Sequence, residues 1–176
     1  MALSLYDVSV TNFLQTVGAV SGYLDKGLAW AKESGHDPQA IVETRLHGDM
    51  LPFAFQIISV CHHSRGAIAG AKAGVFNPPG SMDPMSYTGL QALVADAIAD
   101  LKAQNPDEIN ALEGKDMVFQ LGQRQMPFKA EGFLMSFSLP NLHFHATTGY
   151  DILRQKGAPL GKRDYMGALR LSGPVT

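Results

Sequence analysis

The sequence predicts an all-α fold: an antiparallel four-helix bundle with short connecting helices and one small β-hairpin. Four long stretches repeat apolar residues at helical spacing, and proline, glycine and Asx residues separate them. Only residues 116–129 change to a two-residue period. A chain of 176 residues, 45% hydrophobic and 17% charged, is long enough for one domain with a substantial core. That domain is expected to span residues 1–170, with 171–176 a mobile tail.

The first helix is expected over 8–32, with Val10, Phe13, Leu14, Val17, Leu24, Leu28 and Ala31 forming its apolar stripe. Asp7 or Ser9 would cap it, and Gly35 lies just past its end. Asp37-Pro38 reads as an N-cap followed by proline in the first turn, opening a short helix through Arg45. His47-Gly48-Asp49 ends that helix, and Asp49 is placed to cap a second long one running to about Lys72. Pro52 is tolerated there because first-turn amides have no partner inside the helix.

Taking Gln56 as reference, Asp49, Phe53, Val60, His63 and Ala67 fall within about 60° of it. The opposite face carries Arg65 and Lys72 together with Ile58 and Cys61. A partly apolar outer face suggests a partner, and a homodimer is expected. Residues 74–87 read as a loop by their prolines. Leu90, Leu93, Val94, Ala97, Ile98 and Leu101 mark a third helix over 88–104, with Asp96 and Asp100 outside. Asn105-Pro106-Asp107 starts a short helix to Leu112. In the hairpin, Gly122-Gln123 supplies a two-residue turn. The fourth helix covers 130–156 with Gly157 as its C′ residue, and the segment after it reads as extended.

Composition excludes several functions. A formal charge of -2 and pI near 6.3 give no attraction for nucleic acid. No uninterrupted apolar run is long enough for a membrane span, and MALSLYDVSVTNF lacks the basic start of a signal peptide. Cys61 is the only cysteine, so no internal disulfide forms and a cytoplasmic location is expected. There is no Ser-His-Asp order, phosphate loop, CxxC or HExxH.

The candidate site lies on the fourth helix. Leu134, Phe137, His145, Thr148 and Ile152 fall within about 40° of Asn141, so Asn141, His145 and Thr148 interrupt the apolar ridge. Pro140 has no N–H for the carbonyl of Ser136, which adds an acceptor beside them. Polar groups at one buried level need partners: one another, water, a metal or a ligand. On a helix His143 and His145 diverge by about 200°, so only His145 points inward. Of His62 and His63, His63 is the inward one. His145 reads as a core histidine, a pocket residue or a metal ligand. Cys61 reads as a small buried hydrophobe.

SLYDVSVTNFL, RLHGDMLPFAFQI and LPNLHFHATTGYDILRQKGAPLGKRDY resemble the DinB/YfiT-like superfamily of four-helix-bundle metalloenzymes, and within it a bacterial family of unknown function. The resemblance reaches about residue 166. It implies a nickel or zinc site in members that carry a histidine early in the second helix and a histidine-x3-histidine pair on the last. By register those three positions hold Gln56, Asn141 and His145 here. Amides are poor ligands for either metal. A site rebuilt from His47, His63 and His145, with Asp49 beside them, would require the 47–49 loop to fold back.

Three functions remain open at this point. The first is a small-molecule pocket of Gln56, Asn141, His145, Asp49 and His63, with His145 transferring protons if there is catalysis. The second is a nickel- or zinc-dependent thiol transferase or hydrolase, as the resemblance implies. The third is a non-catalytic dimeric scaffold whose polar cluster fixes helix register.

Overall fold

The computed structural model describes residues 3–80 and 84–173. Four long helices pack as a bundle around one core. The first runs from the π turn Asp7–Thr11 straight into Asn12–Glu33. Its cap is Ser4 rather than Asp7 or Ser9: Ser4 Oγ accepts from the Asp7 amide at 3.1 Å and donates to the Asp7 carboxylate at 2.9 Å. Gly35 ends it at φ +70°, with the His36 amide reaching back to Ala31 at 2.8 Å. The Asp37 cap forms as expected, accepting from the Gln39 amide at 2.9 Å, but its helix is only Pro38–Val42.

The second long helix starts later than expected. It comprises Phe53–Cys61, the π turn His62–Gly66 and Ala67–Ala73, with Pro52 at the N-cap position. The Phe53 amide is satisfied by the Thr44 carbonyl at 2.8 Å, so Asp49 caps nothing and stays in the preceding turn. Ile58 and Cys61, whose apolar character suggested a partner, are buried within the chain; Cys61 Sγ lies 3.7 Å from the Leu93 carbonyl on the third helix. The third helix, Tyr87–Lys102, is capped by Ser86, and Asn105 caps the short Pro106–Asn110.

The hairpin has the expected limits. β2 (Asp116–Leu121) and β3 (Arg124–Lys129) pair in antiparallel register with Leu121 opposite Arg124. Gly122 adopts φ +58° in the turn between them. Within the stretch expected as loop, β1 (Val75–Phe76) adds a parallel strand, Phe76 opposite Phe119. A two-residue strand is too short for periodicity to reveal.

The fourth helix covers the anticipated 130–156 as Ala130–Phe133, the π turn Leu134–Ser138 and Leu139–Lys156. The wide turn ends just before Pro140. There the Leu139 amide reaches back to the Leu134 carbonyl, so the helix accommodates the missing proline donor without breaking. Gly157 closes it at φ +106°.

The segment expected as extended instead forms the helix Lys162–Met166, held to the first helix. Gln15 Nε2 donates to the Met166 carbonyl at 2.9 Å, and Lys26 pairs with Asp164. Buried Ala158 and Leu160 anchor its approach. The expectation of a mobile tail falls partly on residues 174–176, outside those described.

Two buried tyrosines tie the bundle together. Tyr23 Oη donates to the Ala146 carbonyl at 3.1 Å, and Tyr87 Oη to that of Leu24 at 2.9 Å. Gly149 makes the first contact possible, since a Cβ there would lie 2.8 Å from Tyr23 Oη. Among the described residues no helix is long and apolar enough to cross a membrane.

Candidate functional site

Of the three polar residues on the inner ridge of the fourth helix, only one reaches another helix. Asn141 Nδ2 donates to the Phe137 carbonyl at 2.7 Å and Thr148 Oγ1 to that of Phe144 at 2.8 Å, both one turn back on their own helix. His145 instead bonds through Nδ1 to Gln56 Oε1 at 2.8 Å, joining the fourth helix to the second.

The direction of that bond follows from the next one. Gln56 Nε2 donates to the Leu51 carbonyl at 2.8 Å. A carbonyl only accepts, so the amide's oxygen is the atom turned to the imidazole, and Nδ1 must carry the hydrogen. His145 is therefore the tautomer whose Nε2 keeps its lone pair. Burial holds its pKa down at about 4, so the ring is neutral at neutral pH. Phe55 and Phe144 stand edge-on to it, with ring centroids at 5.8 and 5.2 Å. Phe144 itself is exposed.

His63 shares the seam. It is buried, its ring nearly parallel to that of His145 at 12° and 5.8 Å, and its Nδ1 has no hydrogen-bond partner. Phe76 and Phe137 flank it at 5.6 and 5.7 Å. Burial first, then the neighbouring His62 and His145, push its pKa down to about 3.

The other candidates lie elsewhere. The Asp49 side chain is 85% exposed, and among the described residues its carboxylate meets only His47, at 2.6 Å. The loop does not fold back, so neither residue joins His63 and His145. His143 points outward, 3.2 Å from Tyr165 Oη. Gln56, His145 and His63 are thus brought together, Asn141 lies one turn before His145 but is bonded to its own helix, and Asp49 is apart.

This arrangement does not fit the nickel or zinc expected by resemblance. Gln56 Oε1 is held at Nδ1, while the lone pair of His145 is on Nε2, at another edge of the ring. One ion cannot be bound by both atoms. Among the described residues no three His, Cys, Asp or Glu side chains cluster to hold a metal.

Sequence reasoning missed a feature on the far side of the second helix. Two adjoining grooves of about 540 and 400 Å³ run there, and His145 lines neither. The larger is walled by His62, Arg65, Phe76 and Asn77. A signal for it was present in Gly66, Ala69, Gly70 and Ala73, whose spacing leaves one helical stripe without side-chain bulk.

Comparison with known proteins agrees with this architecture. A solved structure of a DinB family member from Shewanella denitrificans superposes with a TM-score of 0.80 at 23% identity, covering 97% of this chain and 96% of that one. At that identity the likeness establishes the fold alone. No curated protein matches the sequence. The family model described as Domain of unknown function (DUF1993) matches residues 5–166. With nearly its whole length matched, the chain belongs to the DUF1993 family, and its fold is that of the DinB-like bundles.

Proposed function

We propose that this protein is a metal-independent member of the DinB-like bundles that binds a small hydrogen-bond donor at Nε2 of His145. The observation that carries the reading is the chain Leu51 carbonyl, Gln56 amide, His145 imidazole. It fixes a neutral tautomer with an acceptor nitrogen on a ring that stands edge-on to Phe55 and Phe144. An imidazole so oriented accepts a hydrogen bond from a bound O–H or N–H, and in a reaction it would act as general base. The single buried Cys61 suits a reducing, cytoplasmic setting.

The test uses untagged protein and nitrogen NMR of the histidine side chains, titrated with phenol and with anisole. Phenol offers the donor and anisole lacks it. Phenol should move the His145 Nε2 resonance in a saturable way, and anisole should not. Equal responses would defeat the reading. Elemental analysis of the same sample should find far less than one metal ion per chain, a content unchanged in His145→Ala.

One observation favours a second reading, in which the seam only sets helix register. Gln56 already makes both its bonds within the chain, and the larger grooves lie elsewhere. A silent phenol titration would select it.

A further inference from the structure

We propose that the larger groove on the outer face of the second helix binds a small amphipathic monocarboxylate that also carries a hydrogen-bond donor. The site is separate from His145 and does not depend on its role. At about 540 Å³ the groove has the size of small-molecule sites.

Its walls are apolar, from Ile58, Leu93, Phe76 and Pro78, and its polar groups are few. Along Gly66, Ala69, Gly70 and Ala73 the helix contributes almost no bulk. A Cβ on Gly70 would lie 2.9 Å from the Phe76 ring, so glycine there is what lets the 75–80 segment lie close across the helix.

Two polar side chains one turn apart line this space, His62 and Arg65, the latter at the junction with the smaller groove, which Asp100 lines. The Asn77 carbonyl lies 2.8 Å from His62 Nε2 and can only accept, so that nitrogen carries the hydrogen and Nδ1 keeps a lone pair. The ring is held against Phe76 at 4.4 Å. The neighbouring helix position is glycine, Gly66, where a Cβ would stand 3.2 Å from His62 Nδ1. Arg65 presents a guanidinium with five donors, and among the described residues it makes one bond, Nη1 to Asp100 Oδ2 at 3.1 Å. Asp100 is itself 59% exposed, so this pair is weak and leaves donors for a planar carboxylate. A guanidinium beside a neutral acceptor and an apolar wall fits an anion whose body is apolar and whose second polar group donates. Cys61 adds no covalent chemistry, because burial pushes its thiol up to about 12.

The probe is 4-hydroxyphenylacetate, followed by amide NMR and calorimetry on the full chain. Saturable shifts should map to residues 58–66 and 75–80, with a millimolar Kd. The matching alcohol, 2-(4-hydroxyphenyl)ethanol, should bind about tenfold more weakly, and phenylacetate severalfold more weakly. Arg65→Gln should lose about tenfold in affinity while keeping its fold, and Asp100→Asn should bind more tightly. Equal binding of acid and alcohol, unchanged affinity in Arg65→Gln, or shifts confined to other surfaces would overturn the proposal. A dimeric mass by light scattering with no response to the acid would assign the groove to a second copy and overturn it as well.

Discussion

His62 and His63 are neighbours on one π turn, with ring centroids 5.5 Å apart and both against Phe76, yet they meet different physics. His62 faces the outer groove, is half-buried, and bonds Asn77. His63 faces the core seam, is buried, and leaves Nδ1 without a partner beside His145. Two turns earlier on the inner side, Gln56 bonds His145 through oriented hydrogen bonds. What separates these groups is the partner each finds. A bonded buried polar group costs little, whereas an orphaned one costs about 1–3 kcal/mol.

The largest expected effect comes from breaking the inner bond. Gln56→Leu orphans the His145 N–H and the Leu51 carbonyl and should cost about 3 kcal/mol in urea denaturation; His145→Leu orphans only Gln56 Oε1 and should cost about 2 kcal/mol. The double variant should be less destabilised than the sum, with a coupling of about 1 kcal/mol or more. Strict additivity would mean that the bond does not form in solution.

A smaller effect concerns pH. Both inner histidines have folded pKa values below that of the unfolded chain, near 3 for His63 and near 4 for His145. Between pH 6.5 and those values the unfolded state binds more protons, so stability is complete above about pH 6.5 and falls as pH drops toward 4. Each ring contributes at most about 1.4 kcal/mol per pH unit, less for the half-buried His145. His63→Leu removes one ring and no hydrogen bond. It should flatten the acid limb of a Tm-against-pH curve and, by removing the orphaned Nδ1, raise Tm at pH 8. An unchanged limb would locate the acid sensitivity elsewhere.

The smallest effect tests the outer side. His62→Phe keeps the ring on Phe76 but loses the bond to Asn77, and should cost about 1 kcal/mol at pH 7 by thermal unfolding. A cost as large as that of Gln56→Leu would erase the distinction between the two faces.

Much of this was readable from one dimension. Helical spacing placed Phe53, Val60 and Ala67 in the core, all of which are fully buried. It also sorted His63 from His62 and His145 from His143, because the angle between adjacent or alternate residues is a property of the helix itself. Asp37, Asn105, Gly122, Gly35 and Gly157 announced caps and turns through local chemistry. Asp49 misled. It has a capping side chain, but the chain delays the helix until Phe53, whose amide finds the Thr44 carbonyl instead. The tail misled too, because Lys162–Met166 is stabilised by the first helix rather than by its own sequence.

Within the site, the sequence by itself determined which side chains could face inward: Gln56, His63, Asn141, His145 and Thr148. Only the tertiary structure decided which of them meet. Asn141 and Thr148 turn back to their own carbonyls, a choice open to any short polar side chain on a helix. Gln56 and His145 are 89 positions apart and bond because two helices bring them to the same level. The tautomer of His145 depends on a third residue, Leu51, whose carbonyl orients the amide. Periodicity sets direction around one axis; a hydrogen bond needs position along two, and that comes only from packing.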